Sequence, residues 1–226
     1  MQELADRAAE LVAYRESTLA CTRCRLAQTR TQVVFGSGSS SAELMFVGEA
    51  PGFHEDQQGL PFVGAAGKLL ERLLGDIGLT RGDVYIANVL KCRPPGNRDP
   101  MPDEIEACRE HLFRQIELIR PLVVATLGNF ATKLLSGSQV GITRVHGQGQ
   151  RMRLGEREVL LYPLYHPAAA LYTGSMLAVL EEDFRRLPEL LSRPAENAAD
   201  AVETAAAPEA EPLALEPPPA LQLGLF

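Results

Sequence analysis

A chain of 226 residues can bury a full core as one domain, and its 46% hydrophobic and 23% charged residues are ordinary for a globular protein. No run of 18 apolar residues occurs, which argues against a membrane-spanning helix, and the first residues lack the basic start and apolar core of a signal peptide, so a cytoplasmic monomer is expected. The formal charge of −7 argues against nucleic acid as partner until the acids are located: six lie from Ala195 onward with no Lys or Arg, leaving 23 acids against 22 bases in residues 1–194.

In chain order, Cys21 and Cys24 come first, among Arg23, Arg25 and Arg30. The run "LMFVGEA" at 44–50 reads as a buried strand and opens into a loop that carries Gly48, Glu49, Ala50, His54, Glu55, Asp56 and Phe62. Leu69, Leu70, Leu73, Leu74 and Ile77 form a helical stripe that Gly78 stops. "VYIANVL" at 84–90 is a second strand, followed by the basic segment "KCRPPGNRDP" with Lys91, Cys92, Arg93 and Arg98. Ile105, Cys108, Leu112, Ile116 and Ile119 make another helical stripe, ended by Pro121. "LVVATLG" at 122–128 and "VLLYPLYH" at 159–166 complete four strands, with Arg144, Arg151 and Arg153 between them.

Near-continuous apolar strands separated by helices predict a three-layer α/β/α sandwich around a parallel sheet, covered on both faces. In such sheets ligands bind beyond the carboxyl ends of the strands, where Gly48–Gly52, Asn88–Lys91, Gly128–Asn129 and His166–Pro167 all fall. The domain is expected over 1–194. Residues 195–221, rich in Ala, Pro and Glu without apolar period, read as a disordered linker.

Cys21, Cys24, Cys92 and Cys108 are spaced C-x2-C-x67-C-x15-C. Four cysteines in a cytoplasmic chain make disulfides improbable and leave a metal site or inert burial, and the C-x2-C start beside the same crevice favours the metal. Zinc is the default for four thiolates, but its sites usually pair two close knuckles, whereas iron–sulfur clusters tolerate wider spacing. The spacing leaves both open.

"GEAPG", "LPFVG", "NVLKCRPPGNRDP" and "HPAAAL", in this order with those cysteines, resemble the family 4 uracil-DNA glycosylases over roughly residues 18–192. The resemblance implies a four-stranded parallel sheet between helices and a [4Fe–4S] cluster on all four cysteines. It also implies hydrolysis of the bond between uracil and deoxyribose in DNA, leaving an abasic site. Asn88 then resembles the residue that reads uracil, offering an acceptor to N3–H and a donor to O4. Phe62 resembles the ring on which the base stacks, and His166 the donor at uracil O2. Backbone amides of the Gly48–Gly52 loop add donors.

Many superfamily relatives carry a water-activating Asp where this chain has Ala50, so the base is assigned to Glu49, with Glu55 or Asp56 as alternatives. Leu171, after His166–Pro167, resembles an apolar wedge that fills the gap left by an extruded base. Lys91, Arg93 and Arg98 are expected along the phosphates. A non-catalytic iron–sulfur DNA-binding or electron-transfer module also explains the cysteines and bases, but it leaves Asn88, Phe62 and His166 without roles. A P-loop fails, because Gly64 is followed by Ala65 and Lys68 by Leu69. Finally, "QLGLF", Gln222–Phe226, resembles the pentapeptide by which bacterial repair proteins hold the sliding clamp. A linker over 195–221 gives it a reach of roughly 30 Å.

Overall fold

The computed structural model describes residues 2–192. The linker at 195–221 and the peptide Gln222–Phe226 lie outside the described residues. The first elements are α1 (Gln2–Leu19), the two-residue strand β1 (Ser37–Gly38), β2 (Leu44–Gly48), α2 (Phe53–Gln58), α3 (Ala65–Asp76) and β3 (Tyr85–Asn88). They are followed by α4 (Pro102–Ile119), β4 (Val123–Leu127), α5 (Asn129–Ser136), α6 (Ile142–Val145) and β5 (Gln150–Leu154). The described chain closes with β6 (Arg157–Leu164), α7 (Pro167–Ala170), α8 (Gly174–Arg185) and α9 (Leu187–Ser192). No helix among the described residues is long and apolar enough to cross a membrane.

The architecture is the predicted α/β/α sandwich. Every residue of β2, β3 and β4 is buried, because side chains that alternate between the two faces of the sheet meet helices on both. Met45, Val47 and Val124 pack with Leu112 and Ile116 of α4 and Leu11 of α1. Leu44, Phe46 and Ala125 face the other way, onto Leu70 and Leu73 of α3 and Phe184 of α8. The two predicted helical stripes are therefore the buried faces of α3 and α4, one on each side of the sheet.

The sheet has six strands rather than four, in the order β1-β3-β2-β4-β6-β5. The four predicted strands are its parallel centre, and β1 and β5 add antiparallel edges. Neither edge has an apolar run to betray it. β1 is a Ser-Gly pair, and β5 exposes Gln150, Arg151 and Arg153, as a charged edge does to avoid pairing with another chain. α1 was equally unmarked, since its buried residues are only Leu11 and Thr18. It is fastened to α4 by Arg7, whose guanidinium donates to the Leu118 carbonyl at 2.8 Å, one of the C-terminal carbonyls that a helix leaves without an internal partner.

Parallel pairing puts the carboxyl ends of β2, β3, β4 and β6 on one edge. The β2–β3 ladder continues past the strands, with Val89 N–H donating to Gly48 O at 2.9 Å and Leu90 N–H to Glu49 O at 3.0 Å. Gly128 N–H likewise donates to Leu164 O at 2.8 Å. These bonds fix the positions of Gly48, Asn88, Gly128 and His166 around one crevice.

Candidate functional site

Gly48 ends β2 beside Asn88 at the end of β3, and the Phe62 ring reaches over both. A Cβ at Gly48 would collide with Asn88 Oδ1 and with the edge of the Phe62 ring. The missing side chain is thus what lets an amide and an aromatic ring approach one another. Asn88 is 2% exposed, and its Oδ1 is buried without a hydrogen-bond partner. Among the described residues, the other buried side-chain polar atoms without a partner are two guanidinium nitrogens, Nε of Arg7 and of Arg157, so Asn88 supplies the one orphaned acceptor. Leaving a buried acceptor unmet costs about 1–3 kcal/mol, so a ligand N–H is the natural complement.

Phe62 is held there against its own backbone preference. Its φ of +53° lies in the left-handed region, at a cost of roughly 1–2 kcal/mol for a non-glycine residue. Three groups hold the loop in place. Arg81 donates to the carbonyls of Phe62 at 2.8 Å and Pro61 at 2.5 Å. Glu55 Oε1 accepts the N–H groups of Val63 and Gly64, both at 2.9 Å. Gly67 of α3 lies so close under the Phe62 carbonyl that a Cβ would not fit. Nothing in the periodicity of the sequence marks Arg81 as part of this site, because its partners in the loop are backbone atoms about twenty residues away.

His166 follows β6 and caps α7. Its ring lies 5.7 Å from the Phe62 ring, centroid to centroid, with the planes 30° apart. Ala168 N–H donates to Nδ1 at 3.1 Å, so the neutral ring carries its hydrogen on Nε2, free to donate elsewhere. Burial lowers the His166 pKa to about 4, against the weaker pull of Glu55, so the ring is neutral at physiological pH. Gly128, at φ +90°, leaves space for this ring, with a built Cβ only 3.1 Å from His166 Cβ.

Glu49 is half-buried at the mouth of the crevice, and burial, then the charge of Asp99, raises its pKa. Ala50 packs partly against the α4 side of the core. Asp56 is buried, and its Oδ1 accepts Thr31 N–H at 2.9 Å. Glu55 and Asp56 are therefore engaged with backbone, while among the described residues no hydrogen bond or ion pair occupies the Glu49 carboxyl. His54 is exposed, edge-on to Phe53.

One of the expected phosphate contacts lies elsewhere. Lys91 is 1% exposed, with its ammonium donating to Asn88 O at 2.8 Å and to Gln115 Oε1 at 2.5 Å, and so cannot reach a DNA backbone. Arg98 makes a two-pronged ion pair with the fully buried carboxylate of Glu104, at 2.6 and 2.9 Å, which ties its charge to the start of α4. Arg93 remains at the surface, partly exposed, stacked over Phe53 at 5.2 Å and bonded to Asn97 Oδ1 at 2.7 Å. Leu171, 40% exposed, and Tyr172, 90% exposed, form an apolar tip just after α7.

Cys21, Cys24, Cys92 and Cys108 line one small cavity on the α4 side of the sheet, together with Arg30, Lys91 and His111. Among the described residues no three His, Cys, Asp or Glu side chains stand close enough to hold a single metal ion. Nitrogen atoms nevertheless surround the sulfurs: the Arg30 guanidinium lies 3.4 Å from Cys92, Lys91 N–H 3.2 Å from Cys108, and His111 Nε2 3.4 Å from Cys21. Burial raises the Cys92 thiol to about 11 and also raises that of Cys108. Such thiols become thiolates only with a cationic partner, and the N–H donors are placed to stabilise that form.

The carboxyl edge of the sheet thus brings together an aromatic ring, an orphaned amide acceptor and a neutral imidazole donor. The model of the Uracil DNA glycosylase superfamily matches residues 35–187, a span that holds Gly48, Phe62, Asn88 and His166. The chain is 49% identical over 186 residues to a type-4 uracil-DNA glycosylase of Sulfurisphaera tokodaii, covering 80% of this chain and 84% of that one. It is 50% identical to a protein of the same name from Saccharolobus solfataricus, over 76% of this chain and 82% of the relative. A third, from Archaeoglobus fulgidus, is 47% identical over 77% of this chain and 90% of its own length.

Proposed function

Because the chain belongs to the uracil-DNA glycosylase superfamily, we propose that its crevice receives a uracil extruded from DNA and that Asn88, Phe62 and His166 are the groups that hold it. The chain is a DNA repair hydrolase that cleaves the N-glycosidic bond of uracil in DNA. The observation that carries the residue assignment is the unpaired Asn88 Oδ1, buried at the end of β3 against the Phe62 ring. Uracil presents N3–H to that acceptor and O4 to the amide donor. Cytosine presents a lone pair at N3 and a donor at C4, the reverse pattern.

When the bond to the sugar breaks, negative charge develops on the base and positive charge on the sugar. His166 Nε2–H is the donor assigned to O2, and its neutrality lets it stabilise the anion without first losing a proton to solvent. Backbone amides of Gly48–Gly52 assist it. Glu49 is assigned to the sugar side, as base for water or as a fixed negative charge, since its carboxyl is the uncommitted one among Glu49, Glu55 and Asp56. Leu171 enters the gap in the base stack, and Arg93 contacts the phosphates.

The four cysteines are assigned to a [4Fe–4S] cluster, because a four-iron core holds its thiolates farther apart than a single ion does. Bound there, it supplies a structural cross-link between the Cys21–Cys24 loop, the segment after β3 and α4. Gln222–Phe226 is assigned to the sliding clamp, tethered to a catalytic domain over 1–194 by residues 195–221.

The test is incubation of purified protein with a uracil-containing oligonucleotide and with its cytosine counterpart. Release of uracil with an intact abasic strand is expected, with brown protein containing about four irons per chain. Uracil release undiminished in Asn88→Ala and His166→Ala would remove both residues from the mechanism.

A further inference from the structure

Lys91 has the most unusual surroundings of any charged group among the described residues. It is 1% exposed, and its ammonium donates to Asn88 O at 2.8 Å and Gln115 Oε1 at 2.5 Å, both uncharged acceptors. Gln115 is itself fully buried and committed, its amide donating to Phe35 O at 2.8 Å and to the Tyr85 hydroxyl at 3.2 Å. No carboxylate among the described residues pairs with Lys91. A buried ammonium is costly unless an anion balances it. The groups at hand are sulfurs: Lys91 precedes Cys92, its backbone N–H donates to Cys108 Sγ at 3.2 Å, and it lines the same cavity as all four cysteines.

We propose that Lys91 is a positioning residue that couples the cysteine site to the base-reading amide: its charge balances the thiolates on one side, and its hydrogen bond holds the Asn88 carbonyl on the other. The proposal rests on the reading of the four cysteines as an iron–sulfur site. Four thiolates outweigh the charge of the iron–sulfide core, so the loaded site is anionic and the ammonium beside it is its counter-charge. The same side chain closes the turn that leaves β3, one peptide from the side chain that reads the base. The cluster then does more than fasten loops, since it retains the cation that fixes Asn88.

The test uses the full chain with Lys91→Met, which keeps the length and removes the charge, and Gln115→Glu, which keeps the shape and sets an anion beside the ammonium. Iron content is measured first. An unaltered chain without iron overturns the reading of the cysteine site itself, before any variant is compared. With iron present, the reduction potential of the cluster is expected to move to more negative values in both variants, because each makes its surroundings less positive. Single-turnover uracil release is expected to fall about tenfold in Lys91→Met, the scale of one lost charged hydrogen bond, and to fall no further when Lys91→Met is added to Asn88→Ala. If Lys91→Met loses its iron, the potential of Gln115→Glu decides. Unchanged potentials, an undiminished tenfold loss in the Asn88→Ala background, or loss of iron from Gln115→Glu would each overturn the proposal.

Discussion

At the scale of single residues, the two ionisable groups of the crevice are shifted by the same cause in opposite directions. Burial disfavours charge, so it lowers His166 to about 4 and raises Glu49 above the ordinary carboxylate range. A base must be ionised to work, so activity falls as pH drops through the raised pKa of Glu49, while His166 stays neutral until near pH 4. The expected single-turnover profile has an acid limb above the ordinary carboxylate range and no inflection near 6.5, where an exposed histidine titrates. Glu49→Gln should lower the rate and remove the limb, whereas His166→Ala should lower it about 10²–10³-fold and leave the limb in place. A limb that survives Glu49→Gln would assign the titration to another group.

At the scale of elements, the site is an alignment of strand ends, and it is sensitive to volume where two of them touch. Gly48→Ala places a methyl where Asn88 Oδ1 and the Phe62 ring already stand. The expected cost is about 1–3 kcal/mol of stability, as for an overpacked core, together with loss of base binding. Denaturant unfolding and uracil inhibition measured on the same protein check both. The parallel strands and the stripes of α3 and α4 were legible because burial on two faces leaves a dense apolar signature. The edges β1 and β5 were not, since an edge strand gains from looking polar. Within the site, Asn88, Phe62 and His166 were legible from motifs and strand ends, and the structure gathers them. Lys91 was misread, because a basic segment looks like a phosphate face until burial is seen. The apolar neighbours in "VLKC" were the available sign that Lys91 points inward. Arg81 left no sign, and Glu55 was read as an alternative base rather than as a fastener of its loop, because backbone carbonyls and amides have no sequence.

At the scale of the whole molecule, the proposed assignments separate clamp recognition from catalysis. The described domain carries the crevice, the cysteine site and the exposed tip at Leu171–Tyr172, while the proposed clamp peptide lies beyond residue 192. A chain truncated after Pro219 should therefore release uracil from a short free oligonucleotide at an unchanged rate and lose affinity for the sliding clamp. Equal clamp binding by the intact and shortened chains would end that assignment. A large loss of activity on the free oligonucleotide would place the tail within the catalytic domain.

If Asn88 reads the base as proposed, its orphaned acceptor also makes the protein a sensor for its own product. A buried oxygen that nothing satisfies in the free state is satisfied when free uracil enters, and ligand that binds only the folded chain raises its melting temperature. At a concentration near one hundred times its dissociation constant, uracil should stabilise the fold by about 2.7 kcal/mol, and cytosine at the same concentration should not. Thermal melts of the intact protein and of Asn88→Ala in the two free bases read this directly, without DNA or turnover. A shift of equal size with cytosine, or one retained in Asn88→Ala, would mean that the released base is held by stacking on Phe62 alone. If the melts bear this out, departure of the excised base is a step that accumulating product slows.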